Sequence, residues 1–150
     1  MKHDRSKPRL VAGWREWVAL PHLGIESVKA KLDVGARTSA LHAYDIEPFD
    51  EEGQERVRFK VHPVQGRDDI EVACVAPLVG RRSVKNSGGI VEARWVVRTS
   101  LRVGDQEWPI DITLTNRKRM RFRMLLGRAA MRGHLLVNPG RSFLIPLENS

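Results

Sequence analysis

The stretch AKLDVGARTSALHA, residues 30–43, decides how the rest of the chain is read. A run with alternating apolar residues, Ala30 and Leu32, feeds the turn Asp33-Val34-Gly35-Ala36, and a small, hydroxyl-bearing segment follows through Thr38 and Ser39. Aspartate and glycine are ordinary turn residues, so a strand end would account for them by itself. The same arrangement also holds a carboxylate on a rigid turn, with Gly35 relieving the backbone and letting another chain approach closely. One carboxylate cannot act as general acid and general base at once. Two that share a proton can, because like charges about 3 Å apart cannot both ionise. The chain has one D-x-G in this context, so its counterpart would come from a second copy across a two-fold axis.

Outward from this turn the patterning is of period two. In VEARWVVRTSLRV, residues 91–103, one face carries Val91, Ala93, Trp95, Val97, Thr99, Leu101 and Val103, which predicts a long half-buried strand. Gly104-Asp105-Gln106 predicts a hairpin turn, and Trp108, Ile110, Ile112 and Leu114 alternate through the return strand. Strands are also expected at 27–32, 56–62, 69–75, LLVN and SFLI, with one short helix over GRAAMR, 127–132, closed by Gly133. Many short strands separated by turn signals predict an all-β, closed or nearly closed barrel in one domain spanning 1–150. Long loops are expected at 49–55 and 79–89, the second a mobile flap or binding loop, with residues 1–8 and 147–150 frayed.

Composition narrows the chemistry. The 150 residues, 41% of them hydrophobic, suffice for one real core. The charged start MKHDRSKPRLV and the lack of any long apolar run predict a cytoplasmic protein without membrane contact. Cys74, the one cysteine, has no disulfide partner in the chain and lies in an apolar run, as a buried small residue would. His3, His22, His42, His62 and His134 are scattered, without an H-E-x-x-H helix or a cysteine pair, so no metal site is expected. No serine stands in a G-x-S-x-G elbow, and SGG at 87–89 leads into a strand instead of a phosphate-binding helix.

The balance of 26 Lys plus Arg against 18 Asp plus Glu gives a formal net charge of +8, which favours acidic partners. The excess concentrates in Arg81, Arg82 and Lys85, and in Arg117, Lys118, Arg119, Arg121 and Arg123. Both clusters are equally compatible with a solvated face. Phe122 alone interrupts the second, which makes a base-stacking platform for nucleic acid the less favoured reading.

Asp33-Val34-Gly35-Ala36, followed far downstream by Met124-Leu125-Leu126-Gly127-Arg128 and a short helix, resembles the two hallmark motifs of retropepsin-type aspartic proteases. With EWPIDITLTNR and VNPGRSFL added, the similarity runs from about Val18 to Leu144. It points to the RimB-like retropepsins, a bacterial branch also labelled ATP-dependent zinc proteases and linked to the glutamate ligase RimK. The resemblance implies a β-barrel aspartic endopeptidase that trims poly-glutamate tails from a small-subunit ribosomal protein. It makes Asp33 the catalytic residue, and Leu126, Gly127 and Arg128 the support beside the turn. Neither a metal-ligand cluster nor a P-loop accompanies the label, so no cofactor is expected; any ATP dependence would belong to the ligase.

An acidic tail needs cations, and Arg37, Arg81, Arg82 and Lys85 are the candidates to meet it. In viral retropepsins the place of Arg37 holds an aspartate that grips substrate backbone; an arginine suits substrate carboxylates, and a solvated turn cation stays equally open. Thr38 and Ser39 are expected to close the turn behind Asp33 by hydrogen bonding, and Asp111 to face solvent. One residue departs from the family pattern: Val34 stands where the motif has threonine, whose hydroxyl ties the paired turns together. Losing it predicts a looser dyad, a weaker dimer or an inactive homologue; because Asp33 itself remains, activity is expected to be retained. The rival reading is a non-catalytic basic barrel that binds acidic tails or RNA.

Overall fold

The structure, a computed structural model, describes residues 9–86, 88–116 and 121–147. Of the predicted features, the N-terminal eight residues, the last three, and Arg117, Lys118 and Arg119 of the basic run lie outside the described residues.

Among the described residues, eleven strands and one short α-helix follow in order, with a 3-10 turn at Pro21–Leu23: β1 Leu10–Gly13, β2 Arg15–Leu20, β3 Ile25–Leu32, β4 Ser39–His42, β5 Tyr44–Glu51, β6 Gln54–Val61, β7 Val72–Lys85, β8 Val91–Val103, β9 Gln106–Thr115, β10 Met124–Leu126, α1 Arg128–Met131 and β11 Leu135–Asn138. Strands β2, β3, β10, β4, β9 and β8 pair in that order, and the Ala19–Arg102 pairing of β2 with β8 closes the ring. Strands β7, β6 and β5 extend the sheet beyond β8. Val18, Leu20, Val28, Leu41, Leu101, Ile112, Met124 and Leu126 are wholly or almost wholly enclosed and fill the barrel. Closure leaves the ring without an open edge.

One crossing matters most for the site. Three-residue β10 lies between β3, to which it is parallel, and β4, to which it is antiparallel. The chain leaves β3, makes the Asp33 turn and returns as β4 on the far side of β10, so residues 33–38 arch over the end of that strand.

The hairpin at Gly104-Asp105 and the burial of Trp108, Ile110, Ile112 and Leu114 follow the alternation in the sequence. Several expectations are corrected. The predicted loop at 49–55 is the tight end of the β5–β6 hairpin: Glu52 and Gly53 take φ of +52° and +83°, and Asp50 Oδ1 accepts the Gly53 N–H at 2.9 Å. β5 has no buried residue, whereas β6 buries Val57, Phe59 and Val61 in the core. The predicted loop at 79–89 is mostly strand, with β7 continuing to Lys85 and β8 beginning at Val91. At the other end, β7 begins at Val72, not at residue 69.

The apolar face assigned to β8 holds only for Val97, Thr99, Leu101 and Val103; Val91, Ala93 and Trp95 are not buried, whereas Arg94 and Val96 are. β8 itself keeps its alternation, in unbroken register with β9; its cover changes because from Trp95 back to Val91 it pairs with β7 alone, past the bulge that Leu78 and Gly80 make on β7. Such a bulge bends and twists the strand that carries it. Beyond it the β7–β8 hairpin becomes a free-standing arm.

SFLI, 142–145, is not a strand. Its amides instead reach Glu16, a wholly buried carboxylate that accepts the N–H groups of Gly13 (2.7 Å), Leu144 (2.7 Å) and Ile145 (3.1 Å). Glu16 thereby clasps the C-terminal segment to β2. Asn138-Pro139-Gly140 makes the predicted turn, with Asn138 Oδ1 accepting the Gly140 N–H at 3.0 Å.

Candidate active site

The Asp33 turn is held from below by β10 and the start of α1. The Asp33 N–H donates to the Leu126 carbonyl at 2.9 Å, the Arg128 N–H to Ala36 O at 2.7 Å and the Ala129 N–H to Arg37 O at 3.1 Å. The Gly127 N–H donates to Ser39 Oγ at 3.1 Å. The Arg128 guanidinium reaches Val34 O at 3.0 Å. A Cβ at Gly127 would stand 2.7 Å from the Thr38 carbonyl carbon and oxygen, so only glycine lets the two segments touch.

Within the turn, the Gly35 N–H donates to Asp33 Oδ1 at 2.9 Å, leaving Oδ2 outside this bond. Gly35 does not take a positive φ; it serves close approach, since a Cβ there would lie 3.1 Å from Asp33 Oδ1. Val34 is 59% exposed, so the missing threonine hydroxyl leaves no buried partner within one chain.

Two cavities meet at this turn beneath the β7–β8 arm. One, of about 480 Å³, is lined by Asp33, Ala36, Arg37, Lys85, Asn86 and Arg94 among others. The other, of about 500 Å³, is lined by Arg37, Arg82, Arg98, Asp111 and Ala129 among others. Arg37 and Thr38 border both. The arm tip thus overhangs the carboxylate. A larger cleft of about 860 Å³ on the β5–β6–β7 face, bordered by Asp45, Glu47, Arg58 and Lys60, contains none of the predicted site residues.

The structure therefore brings Asp33, Gly35, Ala36, Arg37, Thr38, Ser39, Arg82 and Lys85 to one cleft. Arg81 is not brought there: its guanidinium stacks 4.3 Å from the Trp95 ring centroid and lines neither cavity. Neighbours on a strand face opposite ways, so Arg81 and Arg82 could not both point inward. Asp111 is exposed and pairs with Arg98 at 2.9 Å. Phe122 is buried and packs edge-on to Trp14, which removes it from any base-stacking role.

Sequence reasoning missed Arg94. It is 5% exposed; Nη2 lies 3.3 Å from Glu92 Oε2, Nη1 donates to Thr113 Oγ1 at 3.4 Å, and the enclosed Nε–H has no acceptor among the described residues. Thr113 Oγ1 in turn donates to Ser39 O at 2.8 Å, and Thr115 Oγ1 to Glu92 Oε1 at 2.9 Å. The β8 alternation places Arg94 on the polar face, and it is buried there because Glu92 and, on the neighbouring β9, Thr113 meet it.

Two other titratable groups are set by burial. Cys74, whose thiol hydrogen bonds to the Leu23 carbonyl at 3.4 Å, has its pKa pushed up to about 12. His42 is held below its ordinary value, first by burial and then by the nearby Arg123 cation. Among the described residues no three His, Cys, Asp or Glu side chains form a group able to hold a metal ion, and no helix is long and apolar enough to cross a membrane.

Residues 11–148 match the model of the retropepsin-like aspartic endopeptidase RimB. The chain belongs to this RimB-like family. Its barrel, with β10 threaded under the Asp33 turn, is the retropepsin-like fold. The chain is also similar to proteins named probable alpha-L-glutamate ligase: 42% identical over 96% of its length in Shewanella halifaxensis, and 44% identical over 87% in Parasynechococcus marenigrum. It spans only 31% and 28% of those two relatives. A solved structure of a Legionella pneumophila protein of unknown function aligns with a TM-score of 0.74 at 29% identity, covering 91% of this RimB-like chain and 98% of the other.

Proposed function

We propose that the chain is an aspartic peptidase acting on acidic, glutamate-rich segments, with Asp33 from two copies forming the catalytic pair. The observation that carries this is the position of Asp33: half buried, on a turn fixed at five points, in a cleft where Arg37, Arg82 and Lys85 have no carboxylate partner among the described residues. Unpaired cations around a carboxylate suit a substrate that supplies its own negative charge.

In this mechanism one Asp33 is ionised and its partner protonated. The ionised carboxylate removes a proton from water as the oxygen attacks the amide carbon, while the protonated carboxyl hydrogen bonds to the carbonyl oxygen and stabilises the developing charge. Collapse of the tetrahedral intermediate breaks the C–N bond, and the proton taken from water passes to the leaving nitrogen. The exposed Val34 supplies an apolar contact for the second copy in place of a cross-subunit hydrogen bond. No metal or nucleotide enters any step.

Relatives named for glutamate ligation support a poly-glutamate tail as the substrate: a domain shared with such ligases would trim what a RimK-type ligase adds, on the ribosomal protein that the family resemblance implies. The test is cleavage of a synthetic hexaglutamate peptide by wild type and Asp33→Asn, with and without chelator. Turnover that survives the chelator and disappears in Asp33→Asn supports the reading. Turnover lost to the chelator overturns the metal-free mechanism, and tight binding without turnover in the wild type favours the non-catalytic module.

A further inference from the structure

Arg82 on β7 and Arg94 on β8 are directly paired across the strands of the arm. Like charges set opposite each other in a sheet repel and destabilise the pairing. Here only one of the two is compensated. Arg94 has Glu92; Arg82 has no carboxylate among the described residues. Arg82 lines one cavity and Arg94 the other, so the pair bridges the two halves of the cleft. Arg94 is also enclosed, with its Nε–H unsatisfied. A buried guanidinium with an open donor, opposed by a second guanidinium, is short of one anion.

The geometry points to the Arg82–Arg94 pair as a carboxylate-binding subsite that selects an acidic side chain in a peptide lying across the arm. This rests on the proposed peptidase reading and adds the specificity device to it. A carboxylate suits the place better than a phosphate, whose denser charge would meet Asp33 and Glu92 nearby. The planar fork of arginine also matches a carboxylate with two parallel hydrogen bonds. Arg94 is fixed from behind by Thr113, which is bonded to the Ser39 carbonyl, so an anion held by Arg94 is held in register with the Asp33 turn.

The experiment compares two peptides of alternating sequence, Glu-Ala and Gln-Ala, for binding to full-length Asp33→Asn protein and for cleavage by the wild type. The Glu peptide is expected to bind about tenfold tighter or more. Adding Arg94→Met or Arg82→Met should bring the two affinities within about twofold, while Arg94→Lys keeps part of the preference. Arg82 is exposed, so Arg82→Met keeps the test open should Arg94→Met fail to fold. A Glu preference unchanged in folded Arg82→Met and Arg94→Met overturns the subsite. So does binding of single-stranded RNA that exceeds the Glu peptide and depends on Arg94. Equal cleavage of both peptides by the wild type overturns the subsite but leaves the peptidase reading standing; Glu-selective binding without any cleavage does the reverse.

Discussion

The Arg128 guanidinium donates to the carbonyl of Val34 at 3.0 Å, joining the first residue of α1 to the turn that carries Asp33. Arg128 is exposed, so Arg128→Ala should change stability by no more than about 1 kcal/mol. Its effect falls on the position of Asp33, and turnover of a glutamate peptide should drop by about tenfold to a hundredfold, chiefly in kcat. Thermal unfolding and steady-state kinetics on the same preparation check both halves.

Gly127→Ala tests the seat of the turn. The new Cβ meets backbone of Arg37 and Thr38 that has nowhere to move without shifting the arch, and the expected cost is about 1–3 kcal/mol. Denaturant unfolding measures it. A change of less than a few tenths would mean that the arch is looser than the 2.7 Å approach implies.

Glu16→Ala leaves three amides, of Gly13, Leu144 and Ile145, without their acceptor. Bonds to a charged group are the stronger kind, and the loss should be about 3 kcal/mol or more. Residues from about 142 onward should then become susceptible to limited proteolysis before the barrel does.

Cys74 ionises only near pH 12 in the folded state and is 3% exposed. A thiol reagent needs the thiolate, so labelling at neutral pH should proceed no faster than unfolding and should become rapid in denaturant. Fast labelling of the native protein would contradict its burial against the Leu23 carbonyl.

His42 contributes a pH dependence of definite sign. Its folded pKa lies below 6.5, so between these values the unfolded chain binds a proton that the folded chain does not. The stability it contributes is complete above about pH 6.5 and is lost as pH falls towards the lowered value. Replacing it by Gln should flatten the decline of Tm between pH 7 and 5 relative to wild type.

Much of the barrel was legible because alternation survives wherever a strand has one wet and one dry face: β9 shows its buried set as Trp108, Ile110, Ile112 and Leu114. The Asp33 turn and the downstream Leu126-Gly127-Arg128 could be paired from the sequence only through resemblance, since nothing local says that β10 passes beneath the turn. The β7–β8 arm was misread for a physical reason. Arg81, Arg82 and Lys85 give it a loop's composition, yet strand pairing with β8 satisfies its backbone and leaves those cations on a solvated arm. Arg94 was hidden because its burial comes from Thr113 on β9, itself tied to the Ser39 carbonyl, which the alternation along β8 does not report. Glu16 was invisible for the same kind of reason, because its three donors come from both ends of the described chain.

The proposed mechanism requires two Asp33 carboxylates acting together, and subunit mixing measures this most directly. Wild-type and Asp33→Asn chains are unfolded together, refolded in varying ratio at constant total concentration, and assayed on a glutamate peptide. If each active unit needs Asp33 from both copies, an equal mixture should retain about a quarter of the wild-type rate. A linear dependence, with about half the rate retained, or turnover by Asp33→Asn alone, would contradict the paired-carboxylate mechanism.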